Sequence, residues 1–251
     1  MRFGAGWLLF LVIGLPTVLR GAANPLARTR QCLVVTAADW GSTTGTLRAF
    51  ERAPAGDWKP VGSTVPVVLG KTGLAWGRGF LQPPMTDGPR KKEGDNKAPA
   101  GIFHLGPAFG YAAAERASWI KLRYVALTKS TEGVDDPRSR YYNQLVDRSK
   151  IARVDWQTSE KMLRADVLYK WGLVVAHNPS ATPGAGSCIF LHIWRNSSAA
   201  TAGCTAMPEP NLLKLLHWLD PAAHPILIQM PRQNYEALRA ELKLPTLVNP
   251  Y

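Results

Sequence analysis

The stretch Cys188 to Met207 reads CIFLHIWRNSSAATAGCTAM, with His192 in a strand-like pattern and Cys204 twelve positions later. An ordinary thiol, with a pKa near 8.5, is only a few per cent ionised at neutral pH. A nucleophilic cysteine therefore needs an adjacent imidazole or aligned amide dipoles. His192 is the nearest candidate base. The backbone N–H groups of Gly203 and Cys204 are candidate oxyanion donors, a role usually worth about 10² to 10³ in rate. Twelve extended residues span about 40 Å, so partnership requires the chain to fold back. Asn196, Ser197 and Ser198 are turn formers, and Gly203 allows backbone that a Cβ would forbid.

The same residues carry two blander readings. His192 and Cys204 fit as packed core residues, and Cys188, His192 and Cys204 with His177 would make a zinc set. That set lacks the C-x₂-C pairing of structural zinc, so no metal is expected. With three cysteines, any internal pairing leaves one over. Cys32 and Cys188 open apolar runs suited to buried thiols, and their pairing would leave Cys204 free.

The elements that must position these groups are mostly β. Strands are expected at 32–36, 45–51, 65–69, 101–105, 119–127, 172–176, 188–194 and 225–230, where apolar and β-branched residues run between turn formers. Helices are expected at 211–219, with leucines at 212, 213, 215, 216 and 219 behind Pro208 and Pro210, and at 234–242. Residues 87–97, 128–140 and 178–187 read as polar loops.

The 251 residues carry 30 Lys and Arg against 18 Asp and Glu, a net charge of +12, with 46% hydrophobic residues. That apolar content excludes a disordered chain or a coiled coil. The positive charge is scattered and accompanies no nucleic-acid motif, so no nucleic-acid partner is expected. Arg2, an apolar run from Trp7 to Leu19, and Gly21, Ala22 and Ala23 follow the order of a cleavable export signal over residues 1–23. The run is too short to span a bilayer. The expectation is one domain over 24–251, exported to the periplasm or cell wall, without stable membrane insertion.

From His192 through Thr201-Ala202-Gly203-Cys204 the chain resembles the catalytic signature of the L,D-transpeptidase family (YkuD-like catalytic domain), a His before an S/T-x-G-C element. Residues Lys92 to Phe103, KEGDNKAPAGIF, are similar to the family's G-D-x-x-(T/A)-P-x-G-x-F segment. Val134 to Pro137, Tyr142-Asn143 and Val174 to Asn178 resemble blocks of one subgroup. The likeness spans about residues 32–231, and Ala202 stands where many members carry His.

The resemblance implies a β sandwich-like catalytic domain acting on peptidoglycan stem peptides with no cofactor. Cys204 would be the nucleophile, His192 its general base and acid, and Gly203 with Cys204 the oxyanion backbone. Thr201, Trp194, Arg195 and His177 are candidate substrate contacts. Arg195 or Arg123 would meet a substrate carboxylate, and Asp135 or Asp136 would orient His192. Two rival classes share these features: a cysteine peptidase that only hydrolyses stem peptides, and a non-catalytic wall-binding module. Hydrolases of the NlpC/P60 type place Cys before His, the reverse of the order here.

Overall fold

A computed structural model describes residues 25–54, 56–81 and 87–247. The expected export signal, residues 1–23, lies outside the described residues. The chain is mostly β, as composition and periodicity indicate. Among the described residues, thirteen strands and two α-helices alternate with short 3₁₀ turns.

Eight strands form a closed ring. They are β1 (Gln31–Ala37), β2 (Thr44–Glu51), β3 (Lys59–Val68), β5 (Ala98–Gly110), β10 (Trp171–Val175), β11 (Phe190–Ile193), β12 (Thr205–Met207) and β13 (Ile226–Pro231). Their order is β10-β11-β12-β3-β2-β1-β13-β5, and β5 pairs back onto β10. The expected sandwich of two sheets is thus replaced by a barrel. One long strand makes the closure: Gly101 to His104 pair with β13, and Leu105 to Gly110 pair with β10 across a register shift. Two short strands, β4 (Leu74–Trp76) and β6 (Tyr124–Ala126), flank β5.

Polar contacts across the ring fix which way residues face. The Thr205 hydroxyl donates to Gln229 Oε1 at 2.7 Å, and Gln229 Nε2 donates to the Pro99 carbonyl at 2.9 Å. Thr205 and its β11 neighbour Leu191 therefore face inward. Side chains alternate along a strand, so Cys204, Ala206, Phe190 and His192 face outward. On that outer side Phe109, Phe190, Tyr169, Met162, Leu127 and Cys204 form a second apolar cluster.

Helix α1 (Glu209–Trp218) buries Leu212, Leu215 and Leu216 and packs against β10 and β11. Helix α2 (Arg232–Leu242) buries Tyr235, Leu238 and Leu242 and packs against β1 and β13, which explains why both of those strands are buried along their whole length.

A separate three-stranded sheet has the order β8-β7-β9, with β7 (Thr131–Val134), β8 (Gln144–Asp147) and β9 (Ser159–Lys161). Residues 128–140, expected as loop, thus contain a strand. Its centre is the fully buried Glu132 carboxylate. Trp156 Nε1 donates to it at 2.9 Å and the Ser159 hydroxyl at 2.6 Å, while Lys161 and Arg148 supply positive charge. Burial works against its ionised form, yet bonds from Lys161, Ser159 and Trp156 prevail and bring its pKa down to about 2.

Only Tyr124–Ala126 of the expected strand at 119–127 is extended. Its first part forms a turn closed by the Ile120 N–H on the Ala117 carbonyl. Among the described residues, no helix is long and apolar enough to cross a membrane.

Candidate active site

Parallel pairing sets Leu191 beside Thr205 and His192 beside Ala206. Cys204 therefore lies next to Phe190, two residues along the neighbouring strand from His192 and on the same outer face. Strand spacing and rise put their Cα atoms about 8 Å apart, within reach of an imidazole and a thiol. Both line one cleft of about 400 Å³. The crossover at 194–204 supplies the reversal that the spacing requires.

That crossover is pinned at its end. The Thr201 N–H donates to the Leu69 carbonyl, and the Thr201 carbonyl accepts from Lys71 N–H, each at 2.8 Å. The Thr201 hydroxyl donates to the Cys204 carbonyl at 2.6 Å and accepts the Gly203 N–H at 3.1 Å. Thr201 is therefore a positioning residue for the cysteine. The Gly203 N–H is committed to that hydroxyl and is not aimed at an oxyanion, leaving the Cys204 amide as the candidate donor of the expected pair. Gly203 has φ +146°, and a Cβ there would sit 3.2 Å from the Lys97 carbonyl oxygen, so glycine is needed for both reasons.

Lys97 belongs to the second resembling segment, which packs directly against the first. In it Asp95 takes N–H bonds from Lys92 at 2.8 Å and Lys97 at 2.9 Å, and pairs with the buried Lys91 ammonium at 2.5 Å.

His192 is oriented by neither Asp135 nor Asp136. Its Nδ1 lies 2.8 Å from the Ile193 carbonyl oxygen, and the Tyr169 ring stands edge-on to it at 5.2 Å. Asp136 is taken up by Arg138 and the Gln157 N–H. Burial depresses the His192 pKa to about 4, with the Ile193 carbonyl opposing. Burial likewise raises the Cys204 thiol to about 12, and Glu160 adds to the rise. The Phe190 N–H, donated to Sγ at 3.3 Å, works against it. The resting pair is neutral thiol and neutral imidazole.

Trp194 and Arg195 line the cleft. His177 does not: it lies buried beneath the 178–187 loop, its Nδ1 accepting the Arg78 N–H at 3.2 Å and its Nε2 donating to the Ala185 carbonyl at 3.0 Å. Both ring nitrogens are occupied, so His177 serves the loop. Arg123, beside β6, is also not among the residues lining the cleft. The zinc set fails geometrically for the same reason, and among the described residues no group of three or more His, Cys, Asp or Glu is disposed to hold a metal ion.

All three cysteines are free. Cys32 lies in β1 beside α2, while Cys188 Sγ lies 3.6 Å from the Val134 carbonyl oxygen, so the two do not pair.

Sequence reading named Asp135 only as a group to orient His192, and it missed the cleft's other charged groups: Lys91, Glu93, Glu160 and Arg164. Glu160 accepts the Tyr169 hydroxyl at 2.8 Å, and Arg164 bonds Asp166 at 2.7 Å. Glu93 receives the Tyr142 hydroxyl and, at 2.8 Å, the Ser187 hydroxyl. Asn143 joins the roof to the ring: its Oδ1 accepts the Cys188 N–H at 2.9 Å, and its Nδ2 donates to the His177 and Asn178 carbonyls. The Tyr142-Asn143 and Val174–Asn178 blocks carried a signal for that junction. Glu93 and Asp135 fall in resembling segments, whereas Glu160 carried no signal, lying in the short charged strand β9.

No family model matches the chain, and no curated protein matches it.

Proposed function

We propose that the protein is an L,D-transpeptidase that works through a Cys204 thioester on peptidoglycan stem peptides. The observation carrying this reading is that His192 on β11 and Cys204, the residue just before the parallel strand β12, line one cleft together with charged side chains of both signs. Such mixed charge suits a stem peptide, whose third residue bears an amine and whose end is a carboxylate. The packing of Lys97 against Gly203 also joins the two resembling segments in one place.

In the proposed reaction, Cys204 Sγ attacks the carbonyl of the third stem residue while His192 Nε2 takes the thiol proton. The tetrahedral oxyanion meets the Cys204 amide. Collapse breaks the peptide bond, His192 returns the proton to the leaving D-alanine amine, and a thioester remains. An amine of a second stem then attacks the thioester, giving up its proton as the Cys204 thiol is restored. Water in its place gives removal of the terminal D-alanine. Both thiol and imidazole start neutral, so the proton moves only as the carbon–sulfur bond forms. The YkuD-like domain, over 24–251, and an exported location belong to this same reading.

The test is intact-mass analysis of the protein after incubation with a carbapenem and, separately, with tetrapeptide stems. The expected result is a single covalent adduct on Cys204, release of D-alanine, and loss of both in Cys204→Ala. An unmodified thiol together with intact stem peptides would overturn the proposal. Release without any cross-link or exchange product would leave the hydrolytic peptidase instead.

A further inference from the structure

Among the described residues, one buried side-chain oxygen or nitrogen has no hydrogen-bond partner, Asp135 Oδ1. An orphan of this kind costs about 1 to 3 kcal/mol, and native proteins carry few. Asp135 is among the residues lining the Cys204 cleft.

Strand geometry aims it there. Along β7, Glu132 and Val134 face the small sheet's own core, where Val134 meets Trp156 and Val146. Alternation turns Gly133 and Asp135 the other way. At Gly133 a Cβ would come 3.0 Å from Cys188 Sγ, so that face abuts the cleft, and the paired residue Glu160 shares it.

The cleft's other charges are mostly engaged within the protein. Lys91 binds Asp95 and the Lys92 carbonyl, and Arg164 binds Asp166 and Glu160. Glu93 takes two hydroxyls, and Glu160 takes the Tyr169 hydroxyl. Asp135, by contrast, has a carboxylate oxygen with no partner within the protein.

We propose that Asp135 is the subsite for a primary aliphatic ammonium of the substrate, the side-chain amine of the third stem residue. This rests on the transpeptidase reading of the same cleft. The amine has two sources, the acyl donor or the acceptor stem, and a charge-assisted bond replaces the missing partner in either case.

The experiment compares the wild-type protein with Asp135→Asn, of nearly equal size, in two steps: D-alanine release from a donor tetrapeptide alone, and partition of the thioester to an acceptor tripeptide. Cadaverine, a free diamine, serves as inhibitor in both. Asp135→Asn is expected to weaken one step roughly tenfold or more in KM, and cadaverine to compete in that step with wild type but not with the variant. A defect in donor release assigns the donor amine, and one confined to partition assigns the acceptor. Wild-type protein should also prefer a donor with a free side-chain amine over its acetylated form if the donor is the source, a readout that needs no variant. Both steps within twofold of wild type, or equal inhibition by cadaverine, would overturn the subsite. If neither protein releases D-alanine, the transpeptidase reading falls on its own. Calorimetric cadaverine binding then decides the subsite: loss in Asp135→Asn supports it, and no binding to wild type refutes it.

Discussion

The imidazole of His192 is held by the next residue in its own strand, with Nδ1 2.8 Å from the Ile193 carbonyl oxygen. A carbonyl can only accept, so Nδ1 carries the hydrogen and Nε2 keeps its lone pair. No carboxylate is needed to fix this tautomer. His192→Gln should lower the acylation rate by about 10² to 10⁴, the usual worth of a general base, while leaving Cys204 present and the fold intact. Time-resolved intact mass with a carbapenem checks this. An unchanged rate would remove His192 from the mechanism.

Thiol reactivity should report the neutral resting pair. Burial favours the uncharged thiol, so alkylation of Cys204 by iodoacetamide should climb steadily with pH towards about 12 and show no plateau near neutrality. Peptide mapping across pH 6 to 10 measures it. A plateau at pH 7 would indicate a thiolate–imidazolium pair in the free protein.

Acid should destabilise the fold in two stages. Burial holds both His192 and His177 near 4, against 6.5 for the free side chain. Below pH 6.5 the unfolded chain takes up protons that the folded one refuses, so stability falls from there to about pH 4, by about 3 kcal/mol per histidine at most. The Glu132 carboxyl works in a lower window. Its folded value of about 2 lies below the free value of 4.5, so its contribution, complete above 4.5, is lost as pH drops towards 2. Urea melts at stepped pH should show the first fall, and His177→Gln should remove roughly half of it. Stability flat from pH 7 to 4 would contradict both burials.

Gly203→Ala should harm activity more than folding. The φ of +146° and the approach to the Lys97 carbonyl strain any side chain, at about 1 to 3 kcal/mol. A small shift there moves Cys204 against the Phe190 amide. Acylation should fall at least tenfold with only a modest drop in melting temperature, and a fully active Ala variant would refute the constraint.

Much of the ring was legible because burial writes itself as apolar runs: β1, β2, β13 and helix α1 stand where periodicity puts them. Strand β5 outruns the expected 101–105, although Gly106 and Pro107 are residue types that usually end a strand. In the molecule they sit where β5 changes partner from β13 to β10 and the ladder is already irregular. The strands β7 and β9 were hidden by charge, since Glu132 is buried only because residues from 148 to 161 neutralise it. The Cys204–His192 relationship was readable from spacing and a glycine. The role of His177 was not, since a strand-end histidine looks the same whether it faces substrate or a loop. The direction in which Asp135 faces was not legible either, because only the β7–β9 pairing sets it.

The ring's first strand is flanked on one side by β2 and on the other by its last, with Cys32 beside Ile226 and Ala37 beside Pro231. Nearly every intervening residue must therefore exist before β1 gains its second neighbour. A chain still emerging cannot complete its core. Such non-local pairing predicts slow, post-synthetic folding. The Cys204 thiol acquires its full surroundings only once β13, near the end of the described chain, is available to close the ring.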